Sequence, residues 1–197
     1  MIIIVISGTP GTGKTTISKE ISNIINARVI SLNKLAISEN LTIEFDELRD
    51  TYLINEAKVK KWLKNLIKEI KKESVNYLII ESHLSDITPN KFIDYAVILR
   101  CDPDELYNRL ELRGYKKEKI IENVQSEILG TCANFLINKK LRKPIIEFDT
   151  TNDNFSEIAQ IIVNIITGKK DYDNFRIGKV DWLERLNIDN KLSKYFN

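Results

Sequence analysis

The residues with the clearest chemical meaning lie near the amino terminus, where the apolar run 2–6 is followed by GTPGTGKTT at residues 8–16. This is the spacing of a GxxxxGK[ST] loop, in which glycines let backbone N–H groups turn inward around an anion and a helix amino terminus follows. In such loops the lysine, here Lys14, reaches the outer phosphates, and the hydroxyl after it, here Thr15, ligates Mg²⁺. The stretch therefore predicts a binding site for a nucleoside triphosphate with Mg²⁺.

A carboxylate and the only histidine of the chain follow the predicted strand 75–80. A carboxylate at the carboxyl end of a strand beside a phosphate loop can hold Mg²⁺ through water and orient a nucleophile, because ligands of open α/β sheets bind at strand ends. We therefore assign Glu81 to the metal. For His83 two interpretations stay open: a structural residue satisfied by its neighbours, or a group that positions water or a phosphate.

A third candidate is the guanidinium of Arg113. It stands at the end of a helix that is predicted to begin at Pro103 and to stop at Gly114, where a P-loop kinase would fold a lid over its substrates. An always-charged, bidentate group there would stabilise the equatorial oxygens of a transferring phosphoryl group. The alternative is a surface ion pair with Glu111 or Glu118.

The elements that position these side chains follow from the spacing of apolar residues. Short apolar runs predict buried strands, and apolar residues at helical spacing predict the helices between them. We expect strands over residues 2–6, 28–31, 75–80, 95–100 and 144–148, and helices over 14–26, 56–73, 103–113, 120–136 and 158–166. This alternation predicts an α/β, P-loop kinase fold: a five-stranded parallel sheet with right-handed crossovers and helices on both faces.

The chain divides into residues 1–167, which contain the α/β unit, and an appendage at 168–197. Residues 31–54 mix polar and apolar positions without one clean period and predict a mobile, partly helical insert. In the appendage, Asp181 is the expected cap of a short helix. Two interpretations of the appendage stay open: a tail packed on its own domain, or an element that binds a partner.

Charge limits the partners that the chain can attract as a whole. Lys and Arg number 30 against 28 Asp and Glu, a formal charge of +2, so any contact with nucleic acid must come from a local patch. The predicted helix 56–73 has lysines at 58, 60, 61, 64, 68, 71 and 72. It is either an ordinary core helix with a solvated face or a basic surface for RNA or a ribosomal partner.

Cysteine content and hydropathy bear on the compartment. Two cysteines in 197 residues predict no disulfide framework, and no apolar run approaches the roughly 20 residues of a membrane span. The apolar run at residues 1–6 lacks the basic segment of a signal peptide and ends in a glycine loop. We therefore expect a cytoplasmic protein that makes no membrane contact.

Three segments together resemble one known family. They are GTPGTGKTT at residues 8–16, the strand that ends in ESH and is followed by Asp86, and LELRGYKKEKIIENVQSEI at residues 110–128. These segments resemble the archaeal adenylate kinase family, whose eukaryotic relatives are nuclear adenylate kinases that assist maturation of the small ribosomal subunit. The resemblance covers residues 1–166. It implies a broad nucleoside monophosphate kinase that also hydrolyses ATP and binds a small-subunit ribosomal protein of the uS11 type near ribosomal RNA.

The resemblance also implies roles for segments and residues. The insert 31–54 would bind the monophosphate, and residues 112–122 would form a short lid from which Arg113 grips ATP. The ATP phosphates would be held by Gly11, Gly13, Lys14, Thr15 and Thr16. Lys34 and Arg49 are the candidates for the acceptor phosphate. The chain departs from the family at Glu81, where relatives often carry aspartate.

Two functions of different classes are compatible with these features. In the first, the protein transfers the γ-phosphoryl group of Mg-ATP to AMP or a similar monophosphate, and its catalytic residues are Lys14, Glu81, His83 and Arg113. In the second, it is an ATPase switch that acts on a ribosomal protein and pre-rRNA and has little true kinase activity. A GTPase is disfavoured because no Asn-Lys-x-Asp is present, whereas a small-metabolite kinase stays open.

Overall fold

A computed structural model describes residues 1–47, 51–84, 87–152 and 154–196 of the chain. Its strands are β1 (Ile2–Ser7), β2 (Arg28–Ser31), β3 (Thr42–Asp46), β4 (Thr51–Ile54), β5 (Tyr77–Glu81), β6 (Tyr95–Arg100) and β7 (Ile145–Asp149). Its α-helices are α1 (Lys14–Ile25), α2 (Leu32–Ser38), α3 (Glu56–Ile70), α4 (Pro103–Leu112), α5 (Lys117–Ile128), α6 (Thr131–Asn138), α7 (Phe155–Ile166) and α8 (Trp182–Ile188). Within the described ranges, no helix has the length and apolar character needed to cross a membrane.

The strands β2, β5, β1, β6 and β7 form, in that order, one parallel sheet. β1 lies in its middle, where Val5 pairs with Ile80 of β5 on one side and with Ala96 of β6 on the other. Both faces of β1 are buried, which explains why its sequence is apolar without alternation. The predicted α/β fold with a five-stranded parallel sheet is confirmed. The sheet brings the carboxyl ends of β1, β2, β5 and β6 to the same edge.

Helices cover both faces of this sheet. On one face, α3 and α6 pack through apolar residues that include Leu63, Ile67 and Leu136. On the other face, α1 and α7 pack through residues that include Ile17 and Ile162. The apolar stripe of α3 is buried while its lysines are exposed, so this helix does have the core-facing stripe and solvated face that its sequence indicates.

The insert between β2 and α3 contains more regular structure than expected. Its helical part is α2, but β3 and β4 form an antiparallel hairpin, where a partly helical segment was predicted. The hairpin is held by a cross-strand aromatic pair: the rings of Phe45 and Tyr52 meet edge to face with centroids 4.9 Å apart. Strands this short give little periodic signal, and much of the hairpin is exposed, so its apolar residues do not form a continuous buried face.

The single long helix predicted over residues 120–136 is wrong. The chain forms two helices there, α5 and α6, which are separated at Gly130. Gly130 has a φ of 62°, a left-handed conformation that ends α5, and the same residue precedes the first turn of α6. The break turns α6 toward the sheet, where Leu136 joins the core.

The C-terminal segment packs on the α/β unit. Trp182, Leu186 and Tyr195 are buried against α4 and α5, where they contact a cluster that contains Leu106 and Val124. The α8 helix has the expected cap, since the Asp181 side chain accepts a hydrogen bond of 2.9 Å from the N–H of Glu184. The tail therefore packs on its own domain, which was the first of the two interpretations left open by the sequence.

Candidate active site

The phosphate loop joins β1 to α1 at the carboxyl edge of the sheet. Gly11 and Gly13 have φ values of 99° and 88°, which are left-handed conformations that favour glycine. A Cβ atom on Gly11 would lie 2.5 Å from the Leu106 side chain of α4, and one on Gly13 would collide with the ring of Phe155. Neighbouring helices therefore press closely on the loop, and both positions require glycine.

The Lys14 side chain folds back across this loop. Its Nζ donates hydrogen bonds to the carbonyl oxygens of Gly8 at 2.7 Å and Thr9 at 2.9 Å. Burial lowers the pKa of the Lys14 ammonium from 10.5 to about 8, because the charged form loses solvation there. Most Lys14 side chains are still charged at neutral pH, and an anionic phosphate nearby would favour the charged form further.

Thr15 and Glu81 meet beside Lys14. The Thr15 hydroxyl donates a hydrogen bond of 3.1 Å to Glu81 Oε1. Glu81 is only 4% exposed, and no group among the described residues forms a hydrogen bond with its other oxygen, Oε2. A buried carboxylate oxygen without a partner carries an uncompensated desolvation cost, which a cation would relieve.

This donor set fits Mg²⁺. The ion prefers oxygen ligands, and proteins commonly hold it through one or two side chains plus the phosphates of the substrate. The Glu81 carboxylate and the Thr15 hydroxyl supply such oxygens at the foot of the phosphate loop. In the described parts of the chain, no cluster of three or more His, Cys, Asp and Glu could hold a metal by itself.

A hydrogen bond joins the His83 ring to Asn33 of the insert. Its Nδ1 lies 2.9 Å from Asn33 Nδ2, and the Ser82 hydroxyl donates to Asn33 Oδ1 at 3.2 Å. With its Oδ1 occupied as an acceptor, Asn33 donates through Nδ2, and His83 Nδ1 accepts. Burial, assisted by the charge of Lys14, lowers the pKa of His83 to about 4. His83 is therefore a neutral imidazole at physiological pH.

One cavity of about 330 Å³ collects most of the sequence-predicted site. It is lined by Gly11, Gly13, Lys14, Thr15, Thr16, Lys34, Glu81, His83 and Arg113. Arg113 is exposed at its rim and makes no ion pair with Glu111 or Glu118 within the described chain, so the surface-pair alternative has no support. Arg49 lies outside the described residues.

A second cavity, of about 250 Å³, adjoins the first. The two share Asn33 and His83, and the second extends under the hairpin of the insert. Its walls are largely apolar and aromatic, with contributions from Ile37, Phe45, Tyr52 and Ile54. Small-molecule sites are typically concave and apolar with a few polar groups, and this cavity has that character.

Comparisons with known proteins agree with this arrangement. A family model described as "AAA domain" matches residues 4–130. A protein named "Putative adenylate kinase" from Methanocaldococcus jannaschii is 37% identical over 92% of this chain and 93% of its own length. A protein of the same name from Saccharolobus islandicus is 35% identical over 98% of this chain and 91% of its own length.

The chain belongs to the archaeal adenylate kinase family. A shikimate kinase structure from Bacteroides thetaiotaomicron adds a likeness of fold alone, with a TM-score of 0.54 at 19% identity over 84% of this chain and 98% of that one. Membership in the archaeal adenylate kinase family confirms the resemblance drawn from the phosphate loop, the ESH segment and the block at residues 110–128.

Sequence reasoning missed several residues of this archaeal adenylate kinase family member. Asn33, Tyr115 and the buried Glu127, which accepts a hydrogen bond from the Thr9 hydroxyl, are among them. Strand order could have revealed Asn33: Ser31 of β2 is in register with Glu81 of β5, so side chains two residues beyond each strand lie together. Glu127 had no comparable signal, because its partners are far apart in sequence.

Proposed function

We propose that the protein is a nucleoside monophosphate kinase of the adenylate kinase type, which transfers the γ-phosphoryl group of Mg-ATP to AMP or a related monophosphate. The observation that carries the proposal is the convergence of Lys14, Arg113 and the Thr15–Glu81 pair on one cavity. These are the groups that phosphoryl transfer requires: cations for the phosphate oxygens and oxygen ligands for a metal. The names of the relatives support the same activity.

Phosphoryl transfer requires the protein mainly to position the two substrates and to neutralise the charge of the phosphates. Lys14 and Arg113 approach the cavity from opposite elements, the phosphate loop and the loop after α4, and would neutralise the equatorial oxygens of the transferring group. Thr15 and Glu81 would hold Mg²⁺, which supplies charge neutralisation on the terminal phosphates when bound. Residues 112–122 act as the lid in this proposal, and closing them over the cavity excludes water.

The acceptor would bind between this cavity and the insert, residues 31–54. Lys34 lines the first cavity and is the proposed contact for the acceptor phosphate, with Arg49 as a second proposed contact. The adjoining aromatic cavity around Phe45 and Tyr52 would take the acceptor nucleoside. The neutral His83 lies between the two cavities and can donate a hydrogen bond from Nε2 to an acceptor oxygen.

A coupled assay of ADP formation tests the proposal. With Mg-ATP present, adding AMP should raise ADP formation by at least tenfold over ATP alone, and two ADP should form for each AMP consumed. Phosphate release should stay low, because water is excluded when the acceptor is bound. ADP formation that AMP does not stimulate, accompanied by equal release of phosphate, would contradict a kinase.

That contrary result would favour the second candidate, an ATPase switch in maturation of the small ribosomal subunit, acting on a ribosomal protein and pre-rRNA. The observation in its favour is the outward row of lysines on α3, which includes Lys60, Lys64 and Lys68. Both activities can belong to one protein. Loss of pre-rRNA processing on replacing these three lysines by glutamine, with AMP phosphorylation retained, would establish the switch as a separate function.

A further inference from the structure

We propose that Glu127 is a positioning residue that links the C-terminal tail to the phosphate loop, so that residues 178–182 set the affinity of the loop for nucleotide. The inference rests on the proposed function, since it takes the loop to bind Mg-ATP. It assigns a role to side chains that lie outside the cavity and touch no substrate.

The link is a buried charge network between the ends of β6 and α5 and the middle of β7. Arg100, Glu127 and Glu147 are 4%, 1% and 6% exposed. Arg100 donates to Glu127 Oε1 at 2.7 Å and to Glu147 Oε1 at 3.1 Å. One buried cation therefore serves two buried carboxylates, and the surplus negative charge needs further donors.

The tail supplies most of those donors. The backbone N–H groups of Gly178, Lys179 and Val180 donate to Glu147 Oε2 at 3.0, 2.9 and 3.2 Å. The indole N–H of Trp182 donates to Glu127 Oε1 at 3.2 Å. The tail thus completes the hydrogen bonding of both carboxylates, and its position is tied to theirs.

The other oxygen of Glu127 reaches the phosphate loop. Glu127 Oε2 accepts a hydrogen bond of 2.6 Å from the Thr9 hydroxyl, across 118 residues of chain. The Thr9 carbonyl in turn accepts from Lys14 Nζ at 2.9 Å and from the Thr12 hydroxyl at 2.9 Å. A continuous chain of hydrogen bonds therefore runs from Trp182 through Glu127 and Thr9 to Lys14.

This chain of hydrogen bonds fixes the part of the phosphate loop around Thr9. Thr9 is fixed at its side chain by Glu127 and at its carbonyl by Lys14, so a change in the Glu127 carboxylate alters the part of the loop that orients the lysine. Glu127 also belongs to α5, whose first half lies within the proposed lid, residues 112–122. Preorganised donors bind an anion more tightly than donors that must be ordered on binding, and the network supplies that order.

Two pairs of variants test the link through the dissociation constant of Mg-ATP, measured by calorimetry on the full chain. Thr9→Val removes the hydroxyl but keeps the shape, and we expect it to weaken binding by roughly 5- to 30-fold. Thr9→Ser keeps the hydroxyl and should bind within twofold of the natural protein. A structural role alone would not distinguish valine from serine in this way at equal thermal stability.

The second pair compares two tail residues. Trp182→Phe removes one donor to Glu127, and Tyr195→Phe removes the hydroxyl that donates to Asp104, a carboxylate outside the network. We expect Trp182→Phe to weaken Mg-ATP binding by about 3- to 10-fold and Tyr195→Phe to leave it unchanged. Equal effects of the two tail variants, or natural affinity in both Thr9→Val and Trp182→Phe, would overturn the inference. Absence of Mg-ATP binding by the natural protein would instead overturn the proposed function, and this inference with it.

Discussion

Three charged side chains around the phosphate loop are held in very different ways. Lys14 is fixed by two loop carbonyls, Glu81 is buried with one oxygen paired, and Arg113 stands exposed at the rim. Each therefore responds differently to replacement. Lys14 is coupled to the fold through its hydrogen bonds to the loop and Glu81 through its burial, whereas the exposed Arg113 makes no ion pair in the described structure.

Lys14→Met should lower AMP-dependent turnover by about 10² to 10³-fold, because a preorganised cation is lost from the transferring phosphoryl group. In the natural protein, affinity for Mg-ATP should fall as pH rises through about 8, where Lys14 loses its proton because burial has lowered its pKa. Calorimetric titrations at pH 6.5 to 9.5 measure this. The methionine variant should not show this fall in affinity near pH 8. A fall of equal size in both proteins would contradict the assignment of Lys14 to the phosphates.

The lowered pKa of Lys14 also makes the free energy of unfolding depend on pH. The unfolded chain keeps the Lys14 proton up to an ordinary pKa of 10.5, while the folded chain releases it near 8. The unfolded state therefore binds more protons between these values, and the free energy of unfolding rises with pH there. Denaturant titrations should show a steeper rise from pH 8 to 10 for the natural protein than for Lys14→Met, which has no amine to titrate.

Arg113→Ala should reduce turnover by about 10² to 10³-fold with little change in thermal stability, because the side chain is exposed and makes no ion pair in the described structure. Steady-state kinetics and a melting curve measure the two effects. Arg142→Ala is the matched control, since Arg142 is an exposed arginine outside the cavity. Equal activity of the two variants would contradict the proposal that Arg113 contacts the substrate phosphates.

Glu81→Gln should separate metal dependence from stability. The amide keeps the shape and can still accept from Thr15, but it binds Mg²⁺ weakly, so half-maximal activity should require about tenfold more Mg²⁺. Because a buried, half-paired carboxylate becomes neutral, the melting temperature should stay level or rise. A titration of activity with Mg²⁺ measures this. If the variant and the natural protein need the same Mg²⁺ concentration for half-maximal activity, Glu81 does not bind the metal. Chelation by EDTA should abolish activity in both proteins.

At the scale of elements, the sequence predicted what local periodicity encodes. β1, the phosphate loop and α3 were predictable because each is encoded in neighbouring residues: an apolar run, a glycine and lysine motif, and apolar residues at helical spacing. The β3–β4 hairpin was not, since its strands are only five and four residues long and bury little. The network at Glu127 was out of reach for another reason: Thr9, Arg100 and Trp182 converge only in the folded chain.

The hairpin allows a test of the proposal that the insert binds the acceptor nucleoside. Phe45→Ala should raise the KM for AMP by about tenfold while leaving the KM for ATP unchanged, because Phe45 lines only the cavity under the insert. Ile43→Ala is the control: Ile43 lies on the same strand, is 66% exposed and does not line that cavity. Initial-rate kinetics with each substrate varied separate the two constants. An equal rise in both KM values would indicate general damage to the fold.

At the scale of the whole molecule, the cavity of the phosphate loop and the cavity of the insert share Asn33 and His83, so one ligand can span them. A dinucleotide that joins two adenosines through five phosphates should therefore stabilise the protein more than ATP alone. At 100 times its Kd a ligand adds about 2.7 kcal/mol, which corresponds to a rise of roughly 5 to 10 °C in Tm for a chain of this size. Thermal melts with ATP, AMP and the dinucleotide measure this, with Lys14→Met as the control that should lose most of the rise. If the dinucleotide raises the Tm no more than ATP does at the same ligand concentration, the second cavity does not hold the acceptor, and binding at the phosphate loop alone accounts for the effect.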